Sequence, residues 1–270
     1  LYVPDGAIPM LPQDFTLRLA SLDTGQKRAS LSLLIQISDS GEVISWKVCP
    51  SVIIVKESFT YDEAENSLQS QSSPWGNILY HLFQIAQSLR CSRESAGAIN
   101  IDSPEIDIDI NPSEQVDVVV RPRSSPARTL ISELMILYNS LLAGFCHKNG
   151  IPAAYRSQHP PSGSSPVGMN INLSPKNQAA ATLWRFNTIR HFQAAALSTK
   201  PAPHSGLGVS AYTQVTSPLR RYPDLVMQRQ INHFLKSGRS FHTEKQMESL
   251  VYQAEVELKE LAHIEESRNR

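Results

Sequence analysis

The stretch YTQVTSPLRRYPDLVMQRQI, residues 212–231, decides how the rest of the chain is read. It runs as a loop that enters a helix at Ser217-Pro218, a capping residue followed by a first-turn proline. That start places Arg220 and Arg221 in the first turn. N–H groups there lack backbone partners, and each cation opposes the helix dipole at a cost of about 0.3–1 kcal/mol. An anion relieves both problems, and a helix N-terminus with arginines suits a phosphate. A plainer arrangement is equally open: Arg220 pairs with Asp224, four residues on, and Arg221 is solvated. Pro223 lacks a donor and should bend or loosen the helix.

Working outward, residues 157–168, SQHPPSGSSPVG, read as a loop. Ser174-Pro175 opens a helix after it, and Thr243 with Gln246 caps a last helix that runs to the end of the chain. Upstream, Ser125 caps a long helix and Pro126 starts it. Leu130, Leu134, Leu137, Leu141 and Phe145 form its core stripe, and Gly150 and Pro152 end it. Residues 98–120 alternate as strands do, through Ile99 and Ile101, then Ile106, Ile108 and Ile110, then Val116, Val118 and Val120. Thr60 with Glu63 makes a capping box, and Ser73-Pro74 starts a helix with the stripe Leu79, Leu82, Phe83, Ala86 and Leu89. Residues 28–57 predict a hairpin. Leu31, Leu33, Ile35 and Ile37 share a face, Asp39-Ser40-Gly41 turns the chain, Val43–Val48 returns, and Ser51–Lys56 adds a further strand. No internal repeat is visible. The order of sheet, helices, sheet and helices predicts an α+β domain rather than a regular βαβ wind.

The 270 residues carry 25 Lys and Arg against 25 Asp and Glu, so bulk charge does not hold this chain to nucleic acid or to an acidic membrane. The balance is a sum of unlike parts. Seven acids and no Lys or Arg lie between Glu94 and Val120, which leaves 25 bases against 18 acids elsewhere. In Glu105-Ile106-Asp107-Ile108-Asp109-Ile110 the period of two puts three carboxylates on one face, a possible Mg²⁺ set. A strand spaces them about 7 Å apart, however, so a half-buried strand with its acids in water is the preferred reading. The apolar share of 41% excludes wholesale disorder, and no run approaches about 18 apolar residues, so no membrane span is expected. Cys49, Cys91 and Cys146 form no Cys-x-x-Cys pair and predict free thiols in a reducing compartment. The histidines show no metal-ligand spacing. The chain opens at Leu1, not Met, with no charged-then-apolar leader, and Arg270 falls inside a running helix, so the chain is expected to be a piece of a longer protein.

The 212–231 stretch resembles the signature of the RNB domain of the ribonuclease II/ribonuclease R family. Three further stretches agree in order. Residues 2–12, YVPDGAIPMLP, with Ser21-Leu22, resemble the family's segment ending in PMLP. Ile131-Ser-Glu133-Leu-Met135-Ile-Leu-Tyr-Asn139 resembles its E-x-M-I-x-x-N helix, and His204-Ser-Gly-Leu207-Gly lies just before the signature. The resemblance covers essentially the whole chain, 1–270, read as part of an RNB domain. The 212–231 variant is similar to cyanobacterial and plastid members.

This resemblance implies an α+β fold, a mixed, largely antiparallel sheet surrounded by α-helices. It implies a processive, Mg²⁺-dependent 3′→5′ exoribonuclease that cuts single-stranded RNA to nucleoside 5′-monophosphates. A non-catalytic RNA-binding relative is the alternative. The family's metal aspartates lie upstream of the PMLP segment, so the Mg²⁺ ligands are expected before Leu1 and no metal ligand is assigned within this chain. Flanking nucleic-acid-binding domains are also expected outside it. Arg220 matches the catalytic arginine that holds the scissile phosphate. Arg221, Ser217 and Arg156 match RNA-binding positions, and Tyr2 matches a tyrosine that stacks on RNA near its 3′ end. Glu266, with Glu265 as a rival, matches an acid that contacts the terminal nucleotide. Glu133, Asn139 and Asp224 match orienting positions, direct RNA contact being equally open for Glu133. The family's second stacking aromatic is replaced by the isoleucines of EIDIDI, which alters the base clamp. Cytoplasmic location, or a plastid or mitochondrion in a plant, follows as an expectation; no membrane or disulfide partner does.

Overall fold

The computed structural model describes residues 2–3, 6–38, 40–70, 74–99, 105–110, 116–121, 125–160 and 193–268. For 2–3, 6–7, 105–110, 116–121, 262–263 and 265–268 it describes backbone alone. Two short strands, β1 (Tyr2–Val3) and β2 (Gly6–Ala7), precede a π-helical segment at Phe15–Ala20. A long hairpin follows, of β3 (Lys27–Ile37) and β4 (Val43–Ile54). Gly41, at φ 83°, supplies the left-handed turn residue that closes it. The sequence divides the return strand at residues 48–51, but β4 is continuous: Pro50 faces Leu31, and the pairing runs on in register from Lys27 to Gln36. Proline is tolerated there because each strand of a two-stranded ribbon has an edge that needs no donor.

Helices α1 (Tyr61–Ser70) and α2 (Pro74–Ser95) come next. The capping box is present: Glu63 accepts from the Thr60 N–H at 2.7 Å, and the Glu63 N–H donates to Thr60 Oγ1 at 3.2 Å. Ser73 lies outside the described residues. The α2 stripe buries Ala86 fully and half-buries Leu79, Leu82, Phe83 and Leu89. Strands β5 (Glu105–Ile110) and β6 (Val116–Arg121) pair antiparallel. Ile99, predicted to sit in a strand, instead donates its N–H to the Gly206 carbonyl. Ile101, Asp102 and the helix predicted at Ser174-Pro175 lie outside the described residues, as do the side chains of Glu105, Asp107 and Asp109.

Helix α3 (Pro126–Lys148) starts at the Ser125 cap as the sequence predicts, but its buried face is rotated. Leu134, Leu137, Leu141 and Phe145 are only half-buried, whereas Leu130, Leu142, Ala143 and Cys146 are buried together with Glu133 and Asn139. The two polar residues reach the interior because each finds partners there, described below. By length and composition α3 could cross a bilayer. Here it is a core helix, with Tyr138 donating to the Leu31 carbonyl of β3. Strands β7 (Tyr155–Ser157) and β8 (Ala196–Ser198) pair antiparallel, and the chain ends in α4 (Tyr222–Ser237) and α5 (Glu244–Arg268).

Among the described residues the strands therefore form four two-stranded antiparallel ribbons set among helices. The core gathers where α3, α4 and α5 meet β4 and β7, around Leu142, Cys146, Val215, Met227, Ile231 and Met247, each at 0% exposure. Trp46, Phe145 and Phe234 stack edge-to-face through it, with centroids 6.1 and 6.0 Å apart. Burial pushes the Cys146 thiol up to about 12, so it is a packing residue. No disulfide joins the three cysteines.

Candidate functional site

Residues 212–217 cross the core as irregular backbone, and irregular backbone needs partners one by one. The Tyr212 carbonyl accepts from the Arg156 N–H of β7 at 2.9 Å. The Tyr212 hydroxyl accepts from Asn139 Nδ2 at 2.9 Å, and Asn139 Oδ1 accepts the Val215 N–H at 3.1 Å. Thr213 Oγ1 donates to the Ala154 carbonyl at 2.6 Å, and Gln228 Nε2 donates to the Val215 carbonyl at 2.8 Å. Asn139 thus serves two groups of this loop from the middle of α3, with its own side chain wholly out of water.

The loop's end corrects the sequence reading in two ways. Helix α4 begins at Tyr222, with Arg221 as its N-cap, not at Ser217-Pro218. Residues 218–220 form a turn in which the Arg220 and Arg221 N–H groups both donate to the Ser217 carbonyl. Pro223 sits in the first turn, the one place where a missing donor costs nothing, so it sets the helix start and bends nothing. The second correction concerns pairing. Asp224 pairs with Arg221, not Arg220, at 2.6 Å, and the same Oδ1 accepts the Ser217 N–H at 2.9 Å. Arg221 is therefore not solvated; its side chain also donates to Thr216 Oγ1 at 3.3 Å. Arg220 is the exposed one, and no side-chain partner holds it among the described residues.

Around this loop the structure brings several sequence-predicted residues together. Tyr212 lies within electrostatic reach of Arg156, Arg221 and Asp224, and its burial raises the phenol. His204 packs edge-on against Tyr212, with centroids 5.8 Å apart. Burial first, and the charge of Arg156 second, hold His204 down at about 4. Ser217 is half-buried at the bend. Glu133 is 3% exposed and paired with Arg93 in the interior. The side chains of Tyr2, in β1, and of Glu265 and Glu266, in α5, lie outside the described residues. Sequence reasoning missed Arg93, Thr213 and Gln228. Each acts on a partner distant along the chain, and no local pattern marks it.

No group of three or more His, Cys, Asp or Glu side chains capable of holding a metal occurs among the described residues. Asp224 has one oxygen free of partners, but its other oxygen already carries the Arg221 cation. These residues do not make the Mg²⁺ site that the resemblance implies.

What they do make is a guanidinium held out on a loop bonded at almost every residue. The model of the RNB domain matches residues 1–237. The chain belongs to the RNB domain family. An uncharacterized ribonuclease of Synechocystis sp. is 29% identical over 273 residues, covering 100% of this chain and 39% of that protein. Among solved structures, Mycoplasma genitalium ribonuclease R in complex with ribose methylated single-stranded RNA superposes with a TM-score of 0.84 at 23% identity. That match covers 100% of this chain and 48% of that one. Yeast Ssd1, a pseudonuclease, superposes with a TM-score of 0.68 at 19% identity, over 91% of this chain and 34% of its own. At these identities the two superpositions show a shared fold. The chain spans less than half the length of each of these relatives.

Proposed function

We propose that this RNB domain chain is part of an exoribonuclease that hydrolyses single-stranded RNA processively from its 3′ end to nucleoside 5′-monophosphates, and that Arg220 holds the scissile phosphate. The observation that carries this is the division of labour between neighbouring arginines. Asp224 occupies Arg221 and closes the turn, which leaves the Arg220 guanidinium exposed at the end of a braced loop. A planar cation with free donors suits bidentate phosphate binding. Because the loop is pre-set, little reorganisation accompanies the growth of charge on the phosphate. Arg156, beside Tyr212, adds a second cation for the RNA backbone. The Mg²⁺ of this reading has its ligands outside the described residues, so the work assigned here is phosphate binding and orientation.

Arg220→Ala in the full-length protein tests the reading. Release of monophosphates should fall at least about 100-fold, with much of the RNA binding retained. Unchanged turnover would refute the role of Arg220. The fold shared with Ssd1 favours a second reading, a non-catalytic RNA-binding relative. It predicts RNA binding by the unaltered full-length protein with no monophosphate release at any Mg²⁺ concentration.

A further inference from the structure

Arg93, near the C-terminal end of α2, is 9% exposed and makes contacts in two directions. Its Nε donates to Glu133 Oε2 at 2.8 Å, and its Nη2 pairs with Glu133 Oε1, a two-point bridge to α3. Its Nη1 donates to the Leu207 carbonyl at 2.7 Å. A buried ion pair is costly to assemble from solvated ions, and apolar packing would hold two helices together as well. The third contact is what apolar packing cannot supply: a guanidinium has donors enough to grip a carboxylate with one edge and a main-chain carbonyl with the other.

That carbonyl belongs to a tightly seated turn. Ser205–Leu207 form a single 3₁₀ turn ending at Gly208, φ 64°. A Cβ on Gly208 would stand 2.6 Å from the Arg93 carbonyl oxygen and 2.9 Å from the Ala98 nitrogen. The Gly206 carbonyl accepts the Ile99 N–H at 3.1 Å. On its other side the turn grips Gln158. Ser205 donates its N–H and its Oγ to the Gln158 carbonyl, at 3.0 and 2.9 Å, and Gly206 donates its N–H to Gln158 Oε1 at 3.1 Å. Gln158 follows β7 directly, two residues after Arg156, whose N–H bonds the Tyr212 carbonyl.

We propose that Arg93 is a positioning residue for Arg156: with Glu133 as its counter-charge it clamps the 204–208 turn, and the turn sets the end of the strand from which Arg156 meets RNA. The inference rests on the RNA-binding reading of Arg156 given above. It assigns the E-x-M-I-x-x-N helix two separate duties. Asn139 braces the loop that carries Arg220, and Glu133, through Arg93, braces the strand that carries Arg156.

A double-mutant cycle in the full-length protein tests it, with binding of a fluorescent oligoadenylate measured in EDTA across a salt series. Arg156→Ala should weaken binding about tenfold, the loss of one charge-assisted contact. It should also lower the slope of log affinity against log salt by about 0.7. Arg93→Lys keeps a cation for Glu133 but loses the fork, and should reproduce both changes. The double variant should bind no more weakly than Arg156→Ala alone. Gly208→Ala, which displaces the turn by crowding the Arg93 carbonyl and Ala98 and leaves the ion pair chemically intact, should behave as Arg93→Lys does. If Arg156→Ala weakens binding but Arg93→Lys and Gly208→Ala do not, or if their effects simply add to it, Arg93 is a structural residue only. If Arg156→Ala leaves binding unchanged, the RNA reading of this strand is wrong and the positioning role falls with it.

Discussion

At Asp224 a single carboxylate oxygen receives both the Arg221 guanidinium and the Ser217 N–H, with no part of the side chain exposed. The ends of the turn that displays Arg220 are thereby tied together by one group. Asp224→Ala leaves a part-buried cation and a main-chain donor without partners and should destabilise the protein by about 3–5 kcal/mol in urea denaturation. His204 makes a second prediction. Its folded value of about 4 lies below the ordinary 6.5, so the unfolded chain takes up a proton that the folded one refuses. The contribution is complete above pH 6.5 and is lost as the pH falls through 4, about 3 kcal/mol over that window. His204→Gln should give a flatter stability profile between pH 6.5 and 4; a profile parallel to the unaltered protein's would show that His204 does not titrate there.

Among the elements, the capping boxes, the α3 start and the 31–48 hairpin were legible because each is decided within four residues or by simple alternation. The rotated face of α3 was not. A leucine stripe marks where a helix tends to bury itself, but Glu133 and Asn139 are buried because Arg93, Tyr212 and the Val215 N–H wait for them. The start of α4 was misread for a related reason: Ser217-Pro218 and Tyr222-Pro223 are both plausible first turns, and the reach of Asp224 back to Ser217 selects the second. Asn139→Leu preserves the shape of α3 and removes both loop bonds. It should cost about 1–3 kcal/mol for each group left unpaired, with faster hydrogen exchange at the Val215 N–H. Unchanged exchange there would mean that the loop holds itself without α3.

At the scale of the whole chain, zero net charge means that the proposed RNA binding would rest on placed cations rather than on a general field. Arg220→Ala should lower the salt slope of RNA binding by about 0.7. Arg221→Ala, whose guanidinium is already committed to Asp224, should change the slope little and lower the unfolding midpoint instead. Equal slopes for the two variants would contradict the assignment of different tasks to these neighbours. By itself the sequence determined the α+β class, most element positions and the family, because propensity, capping and a long ordered motif are local properties. Only the tertiary structure decided which arginine stands free, why two polar residues of α3 are buried, and that Arg93 joins α3 to the 204–208 turn. The bonds that decide the last two points span 40 residues from Arg93 to Glu133, 73 from Asn139 to Tyr212 and 114 from Arg93 to Leu207. Such pairings leave no periodicity in the chain; they exist only once the helices have packed and excluded the water that would otherwise satisfy each group.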